Sequence, residues 1–227
     1  MTTAVVVASG DLVPGDELHV VAVDLVVAAD GGAISLERLG RRPDLVVGDL
    51  DSTGTELLER LRVAGVPIER HPEDKDASDA ELAIERAEAL GAQRIVLLGA
   101  TGGDRLDHEL ANVLLVADRR YAGLDLRLVR GRTELCALHG GAVHRGAVHQ
   151  RAVLELEARI GDGVTLLPVA GDAHGVRSAG LRWPLEGETL AFGRSRGLSN
   201  EVVATPSSVQ LERGTLLVVI THGGSPT

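Results

Sequence analysis

Aromatic side chains are almost missing from this 227-residue chain: Trp183, Tyr121 and Phe192 are the whole set. Its core must therefore be assembled from Val, Leu, Ile and Ala, and an aromatic ligand finds few rings to stack on. Cysteine occurs once, at Cys136, which excludes an intrachain disulfide and a cysteine-based zinc site and fits a reducing cytoplasm. Long apolar runs are lacking as well. The longest, residues 20–29, is broken by Asp24 and falls short of the roughly 20 residues that cross a bilayer. The N-terminus has no basic region ahead of its apolar stretch, unlike a signal peptide, so a cytoplasmic protein without membrane contact is expected. Positive charge is short: a net charge of -10 argues against the broad basic surface that nucleic-acid binding needs. A small-molecule partner is expected instead. Lysine is the scarcest charged type, with 22 arginines against the single Lys75.

What is present is a chain long enough for one large domain or two modest ones. Through residue 123, short β-branched runs alternate with helical stretches, the pattern of a parallel sheet covered by helices. The runs predict strands over 4–8, 25–29, 45–47, 66–69 and 94–98, and helices over 33–39, 55–64, 79–90 and 107–117. Ser78-Asp79-Ala80-Glu81 reads as a capping box opening the third helix, and Gly91 ends it. From 124 onward helical periodicity fades and glycines multiply. Strand-like runs at 126–129, 153–156, 164–167, 189–192, 202–204 and 216–220 predict an all-β sandwich. The fold class is thus α/β, a Rossmann-like parallel-sheet catalytic domain over 1–123 followed by a β-sandwich over 124–227. Residues 125–129 would equally complete the first sheet.

The chemistry concentrates at strand ends. Asp49 and Asp51 in Gly48-Asp49-Leu50-Asp51-Ser52 follow an apolar run and precede a helix, where open α/β sheets place their ligands. Residues two apart on extended backbone point the same way, so both carboxylates are expected at one cation. Asp30, in Ala29-Asp30-Gly31-Gly32, follows another run in the same manner. Hard oxygen ligands favour Mg²⁺ shared with a phosphate chain. Gly31 and Gly32 permit close approach of backbone to a phosphate, and the helix behind them offers N–H groups. Asp79 at a helix start is equally explained by the helix dipole alone. Lys75 reads either as a surface ion pair or as a compact point charge for a phosphate or substrate that arginine's planar fork would serve poorly.

A third segment, Gly102-Gly103-Asp104-Arg105-Leu106-Asp107-His108-Glu109-Leu110-Ala111-Asn112, runs from a strand into a helix. Its glycines suit a phosphate cradle, and Arg105 a bidentate clamp. His108 fits a structural or nucleotide contact better than proton transfer. His139, His144 and His149 recur every five residues, a spacing without a metal motif, and are expected on a loop or strand surface.

Taken in order, Asp30-Gly31-Gly32-Ala33, residues 43–52, Lys75-Asp76-Ala77-Ser78-Asp79 and residues 102–112 resemble the thiamine pyrophosphokinase family, as do Val164 to Pro168, Gly180 to Leu185 and Gly197 to Glu201. The resemblance implies a homodimer with substrate between subunits and Mg²⁺-dependent transfer of pyrophosphate from ATP to the hydroxyethyl group of thiamine, releasing AMP. It implies Asp30, Asp49, Asp51 and Asp79 as metal and phosphate-site aspartates, with Asp49, Asp51, Asp79 and Arg105 catalytic. Gly31, Gly32, Ser52, Gly102, Gly103, Arg105, Asp107, His108 and Asn112 form the nucleotide set. Lys75, Ser78, Asp79, Trp183, Ser199 and Asn200 form the thiamine set; Trp183 reads either as a stacking face or as a core residue. Two departures stand out. Relatives run Gly-Gly-Arg where Asp104 here separates Gly103 from Arg105, and Asn-Gly where Ser9-Gly10 stands here. The rival expectations are a pyrophosphokinase of the same fold acting on a hydroxymethylpterin, and a nucleotide-sensing module without turnover.

Overall fold

Branched aliphatic runs build the first of two units into which the chain divides: residues 1–115 with 124–131, and 116–123 with 132–227. The structure, a computed structural model, describes residues 1–141, 143–144, 147–148 and 152–223. Six strands form the sheet of the first unit: β1 (Thr3–Val7), β2 (Leu25–Ala29), β3 (Leu45–Gly48), β4 (Ile68–Arg70), β5 (Arg94–Leu98) and β6 (Asp125–Arg130). Their order is β6-β5-β1-β2-β3-β4, every neighbouring pair parallel. Beyond their first residues β1, β2 and β5 are buried throughout, and β3 entirely, because helices cover a parallel sheet and leave no face for alternating polar residues.

The helices are α1 (Gly32–Arg38), α2 (Thr55–Val63), α3 (Asp79–Ala89) and α4 (Leu106–Val116). Helix α3 starts where Ser78 Oγ accepts from the backbone N–H of Glu81 at 3.2 Å, and it buries Ala80, Ala83, Ile84 and Ala87. Those small residues let it lie close to the sheet. Helix α1 comes closer still: a Cβ on Gly32 would stand 1.9 Å from the carbonyl oxygen of Val7. Gly32 thus serves helix-to-strand packing. Strand order reverses at β1, which has β2 on one side and β5 on the other, so a crevice opens beyond the carboxyl ends of these strands.

In the second unit the strands are β7 (Thr133–Gly140), β8 (Val143–His144), β9 (Ala147–Val148), β10 (Ala152–Glu155), β11 (Gly163–Pro168), β12 (Ala173–Ala179), β13 (Glu186–Leu190), β14 (Asn200–Glu201), β15 (Ser208–Leu211) and β16 (Gly214–Thr221). Antiparallel sheets β14-β11-β16-β7 and β10-β15-β12-β13 share one core that includes Leu138, Leu166, Leu190, Leu211 and Leu216, and β8 pairs with β9. This is the expected sandwich.

The expected bounds shift in places. The run at 189–192 forms strand only to Leu190, because the backbone N–H of Phe192 turns to Asp172 Oδ1 at 2.9 Å. At 202–204 only Val202 bridges, to Leu181, and the strand there is Asn200–Glu201. His139 is a correction: it is buried on β7, 3.2 Å from Thr215 Oγ1, and burial, aided by the charge of Arg119, pushes its pKa down. His144 lies in β8, and His149 falls outside the described residues. Among the described residues no helix is long and apolar enough to cross a membrane.

One buried acid ties the end of the second unit together. Asp162 Oδ2 accepts from the N–H of Arg159 at 2.9 Å and lies 2.9 Å from His222 Nδ1, while Oδ1 accepts from the N–H of Gly223 at 2.8 Å. Burial would raise its pKa, but these donors outweigh burial and hold it below the usual carboxylate range. A depressed folded pKa means stability that is fully present above the unfolded value of about 4 and is lost as pH falls through the folded value. Asp162→Asn is expected to lower unfolding free energy by about 1–3 kcal/mol near neutral pH. It should also flatten the fall in stability below pH 4, as read by denaturant titrations across pH.

Candidate functional site

The crevice at the strand ends is a cavity of about 490 Å³, walled by the residues that follow β1, β2, β3 and β5 and by the starts of α3 and α4. At its floor one ligand atom each from Asp30, Asp49 and Asp79 converge to within 4.8 Å of one another. Like charges at that separation repel by about 3 kcal/mol per pair at an effective dielectric of about 20, so the local structure must hold them.

Asp30 is buried one residue beyond β2, where its N–H still donates to Val47 at 2.9 Å and its φ of 44° turns the chain into α1. Its Oδ1 accepts from the hydroxyl of Thr53 at 3.2 Å. Gly48 closes β3 where a Cβ would stand 3.0 Å from Asp79 Oδ1 and 3.1 Å from the Asp30 Cβ. Any side chain there would fill the space the carboxylates share.

Asp49 accepts from the N–H of Asp51 at 3.2 Å through Oδ1, and its Oδ2 meets Lys75 Nζ at 3.1 Å. The N–H of Asp51 and the Lys75 ammonium outweigh burial and hold the Asp49 pKa below its ordinary value. Lys75 bridges to Asp79 Oδ1, also at 3.1 Å, and its side chain is 14% exposed. Burial works to lower its pKa, but the bonds and charges of Asp79 and Asp49 prevail and raise it. Lys75 is thus ion-paired, but to two acids of the cavity and largely buried.

Asp51 is not one of the three converging acids. Leu50 adopts a φ of 69° with its side chain buried, which breaks the alternation that would have aligned Asp51 with Asp49. Asp51 lies on the cavity wall, exposed, accepting from Ser52 Oγ at 2.8 Å. Gly31 and Gly32 are not on the wall; Gly102, Gly103, Ser78, His108 and Asn112 are.

The loop after β5 is held from two sides. Gly102 N donates to Glu109 Oε1 at 2.7 Å, and Asn112 Nδ2 donates to the Ala100 carbonyl at 2.8 Å. Beyond the inserted Asp104, Arg105 grips Asp107 through two hydrogen bonds of 3.0 and 2.7 Å, and this guanidinium pushes the Asp107 pKa far down. Arg105 still lies on the wall, whereas Asp107 does not. His108 Nε2 comes to 4.0 Å of Asp107 Oδ2, a closer approach than neighbouring helical positions suggest.

In the second unit the indole of Trp183 is 52% exposed, with the Arg182 guanidinium 5.8 Å from its ring centroid. It is no core residue. Asn200 is buried and spends its amide on main chain: Oδ1 accepts from Trp183 N at 3.1 Å and Glu201 N at 2.9 Å, while Nδ2 donates to the Trp183 carbonyl at 2.7 Å. Ser199, at φ 57°, donates its N–H to Thr165 Oγ1 at 3.1 Å. Asn200 therefore fixes the loop that presents Trp183.

Two family models match the chain: thiamin pyrophosphokinase, catalytic domain, over residues 18–128, and thiamin pyrophosphokinase, vitamin B1 binding domain, over residues 152–216. The chain belongs to the thiamin pyrophosphokinase family. It is similar to thiamine pyrophosphokinase of Bacillus subtilis, 23% identical over 96% of this chain and 98% of that one. Thiamine pyrophosphokinase 1 of Oryza sativa subsp. japonica is 26% identical over 73% of this chain and 61% of its own length. Among solved structures, thiamine pyrophosphokinase from Bacillus subtilis superposes with a TM-score of 0.79 at 22% identity, covering 97% of this chain and 99% of that one. Thiamin pyrophosphokinase from Candida albicans does so with 0.78 at 14%, covering 97% and 90%.

The donor set of this thiamin pyrophosphokinase family member suits a divalent cation. It is all carboxylate, and Asp79 Oδ1 is buried at ion-pair distance from Lys75 but outside hydrogen-bond alignment. Hard oxygens of this kind fit Mg²⁺. Thr53 and Glu109 were not anticipated from sequence. Each is a polar residue of ordinary type, and only the fold reveals the oxygen or N–H it serves. Thr53→Val is expected to leave buried Asp30 without its donor and cost about 1–3 kcal/mol in urea unfolding, with Thr53→Ser recovering most of it.

Proposed function

We propose that the chain transfers pyrophosphate from ATP to the hydroxyethyl oxygen of thiamine, giving thiamine diphosphate and AMP. The observation that carries this reading is the convergence of Asp30, Asp49 and Asp79 within 4.8 Å at the floor of a cavity rimmed by a tethered glycine loop. A Mg²⁺ ion held by these acids, with Asp51 and Ser52 beside it on the wall, would neutralise polyphosphate oxygens.

The remaining chemistry belongs to the chain's own groups. The bond from the thiamine oxygen to the β-phosphorus forms as the bond from that phosphorus to the oxygen of the departing AMP breaks, in line. Asp79, first residue of α3, orients the hydroxyl and takes its proton. Gly102 and Gly103 line the wall on the nucleotide side, where Glu109 Oε1 holds the Gly102 N–H and so the loop. Arg105, released from Asp107, or Lys75 offsets charge on the AMP. His108 and Asn112 frame the same wall.

Thiamine is a cationic aromatic, and the half-exposed indole of Trp183 suits it; this ring already carries one cation, Arg182. The vitamin B1 binding domain match over residues 152–216 supports thiamine over a hydroxymethylpterin. The complete carboxylate set supports turnover over nucleotide sensing. Assembly as a homodimer with substrate between subunits, and a cytoplasmic location, belong to the same proposal. Trp183, Leu198 and Val203 stand exposed in the second unit as apolar surface for such a partner.

The test is to incubate the protein with ATP, Mg²⁺ and either thiamine or a hydroxymethylpterin, and to follow AMP and the diphosphorylated product chromatographically. AMP is expected with thiamine alone. Asp79→Asn should lower kcat by about 10²–10⁴-fold, and Asp51→Asn, outside the converging trio, by less. ATP binding without AMP release in the presence of thiamine would sink the proposal.

A further inference from the structure

A chain with 22 arginines keeps one lysine, and that lysine stands among the acids meant for a cation. Three hydrogen bonds and one ion pair already engage the cluster. Asp30 Oδ1 accepts from Thr53, Asp49 Oδ1 from the Asp51 N–H, and Lys75 holds Asp49 Oδ2 and Asp79 Oδ1 at 3.1 Å each. A cation that takes Asp49 Oδ2 or Asp79 Oδ1 must share that oxygen with the Lys75 ammonium or replace it. Lone pairs committed to a metal at about 2.1 Å are poor acceptors for a neighbouring cation.

We infer that Lys75 is the resident counter-ion of the empty carboxylate cluster and gives up its place there when a divalent cation is bound, so that its ammonium faces the cavity as a mobile positive charge only in the loaded site. This rests on the cation reading of the cluster. Lysine fits the task and arginine does not: an ammonium on a four-carbon stem makes undirected contacts and leaves readily, whereas a planar fork locks onto one carboxylate. The chain itself shows the second behaviour, with Arg105 gripping Asp107 by two bonds. Lys75 also stands in the loop between β4 and α3 and is one of the residues that line the cavity, so its side chain can swing without disturbing the capped helix.

The scarcity of lysine supplies the assay. Apart from the terminal amine at Met1, Lys75 is the one primary amine of the chain, so its accessibility can be read by mild acylation and peptide mass spectrometry. In full-length protein stripped of metal, acylation of Lys75 is expected to be slow, and to accelerate several-fold at saturating Mg²⁺ while the Met1 amine reacts at an unchanged rate. Calorimetry on Lys75→Met should show Mg²⁺ bound about tenfold more tightly than by the wild type, since the ion pairs that compete with the cation are gone. Unchanged Lys75 acylation at a Mg²⁺ level where calorimetry shows uptake would overturn the inference, as would weaker Mg²⁺ binding by a folded Lys75→Met protein. Absence of Mg²⁺ uptake by both proteins would defeat the cation reading itself, and the inference with it.

Discussion

Mutual repulsion of three carboxylates is the constraint around which the first unit is arranged. Parallel strands all end on one edge, and the turns after β2 and β3 deliver Asp30 and Asp49 to the same place that α3 offers Asp79. Each acid is then held by a different device: a hydroxyl from Thr53, a backbone N–H from Asp51, and for two of them the ammonium of Lys75. Gly48 keeps the middle empty. Rigidity of the buried strands makes the closeness possible, since a loose scaffold would relax by spreading the charges.

Much of this was legible in the residues. The apolar runs that became β1, β2, β3 and β5 are unbroken because both faces are covered, and such runs are hard to mistake. The Ser78 cap was readable because its donor lies three residues away. Strands β12 and β15 were not. The first carries Gly175 at φ 65° and register shifts against β13, so no apolar period survives, and the second is only four residues long. Within the site, Asp30, Asp49 and Asp79 stand together as expected, while the placement of Asp51 turned on the backbone of Leu50, a residue whose type gives no hint of a positive φ. The reach of Arg105 turned on a competing acid two positions away. Gly32 showed the converse, a glycine whose use is packing against Val7.

The same economy governs the second unit. Only one indole exists in the chain, and a buried asparagine is spent on three main-chain bonds to hold its loop, leaving the ring half in solvent. A residue that looks like a ligand contact can thus act one step behind it. Burying an amide costs little when every bond is made, and in return the loop has one conformation.

Strand β6 places residues 125–130 in the first sheet, although residues 116–123 just before it belong to the second unit. During synthesis the nascent chain therefore emerges in an order that does not match its architecture. While β6 is still inside the ribosome, the outer edge of β5 is a bare row of backbone groups open to pairing with any other strand. That exposure ends only when Asp125 emerges to meet Arg94, 3.0 Å away in the finished sheet, at the first residue of each strand. The ion pair joins the first residues of the two strands, so the seam is tied at the end of β6 that is synthesised first.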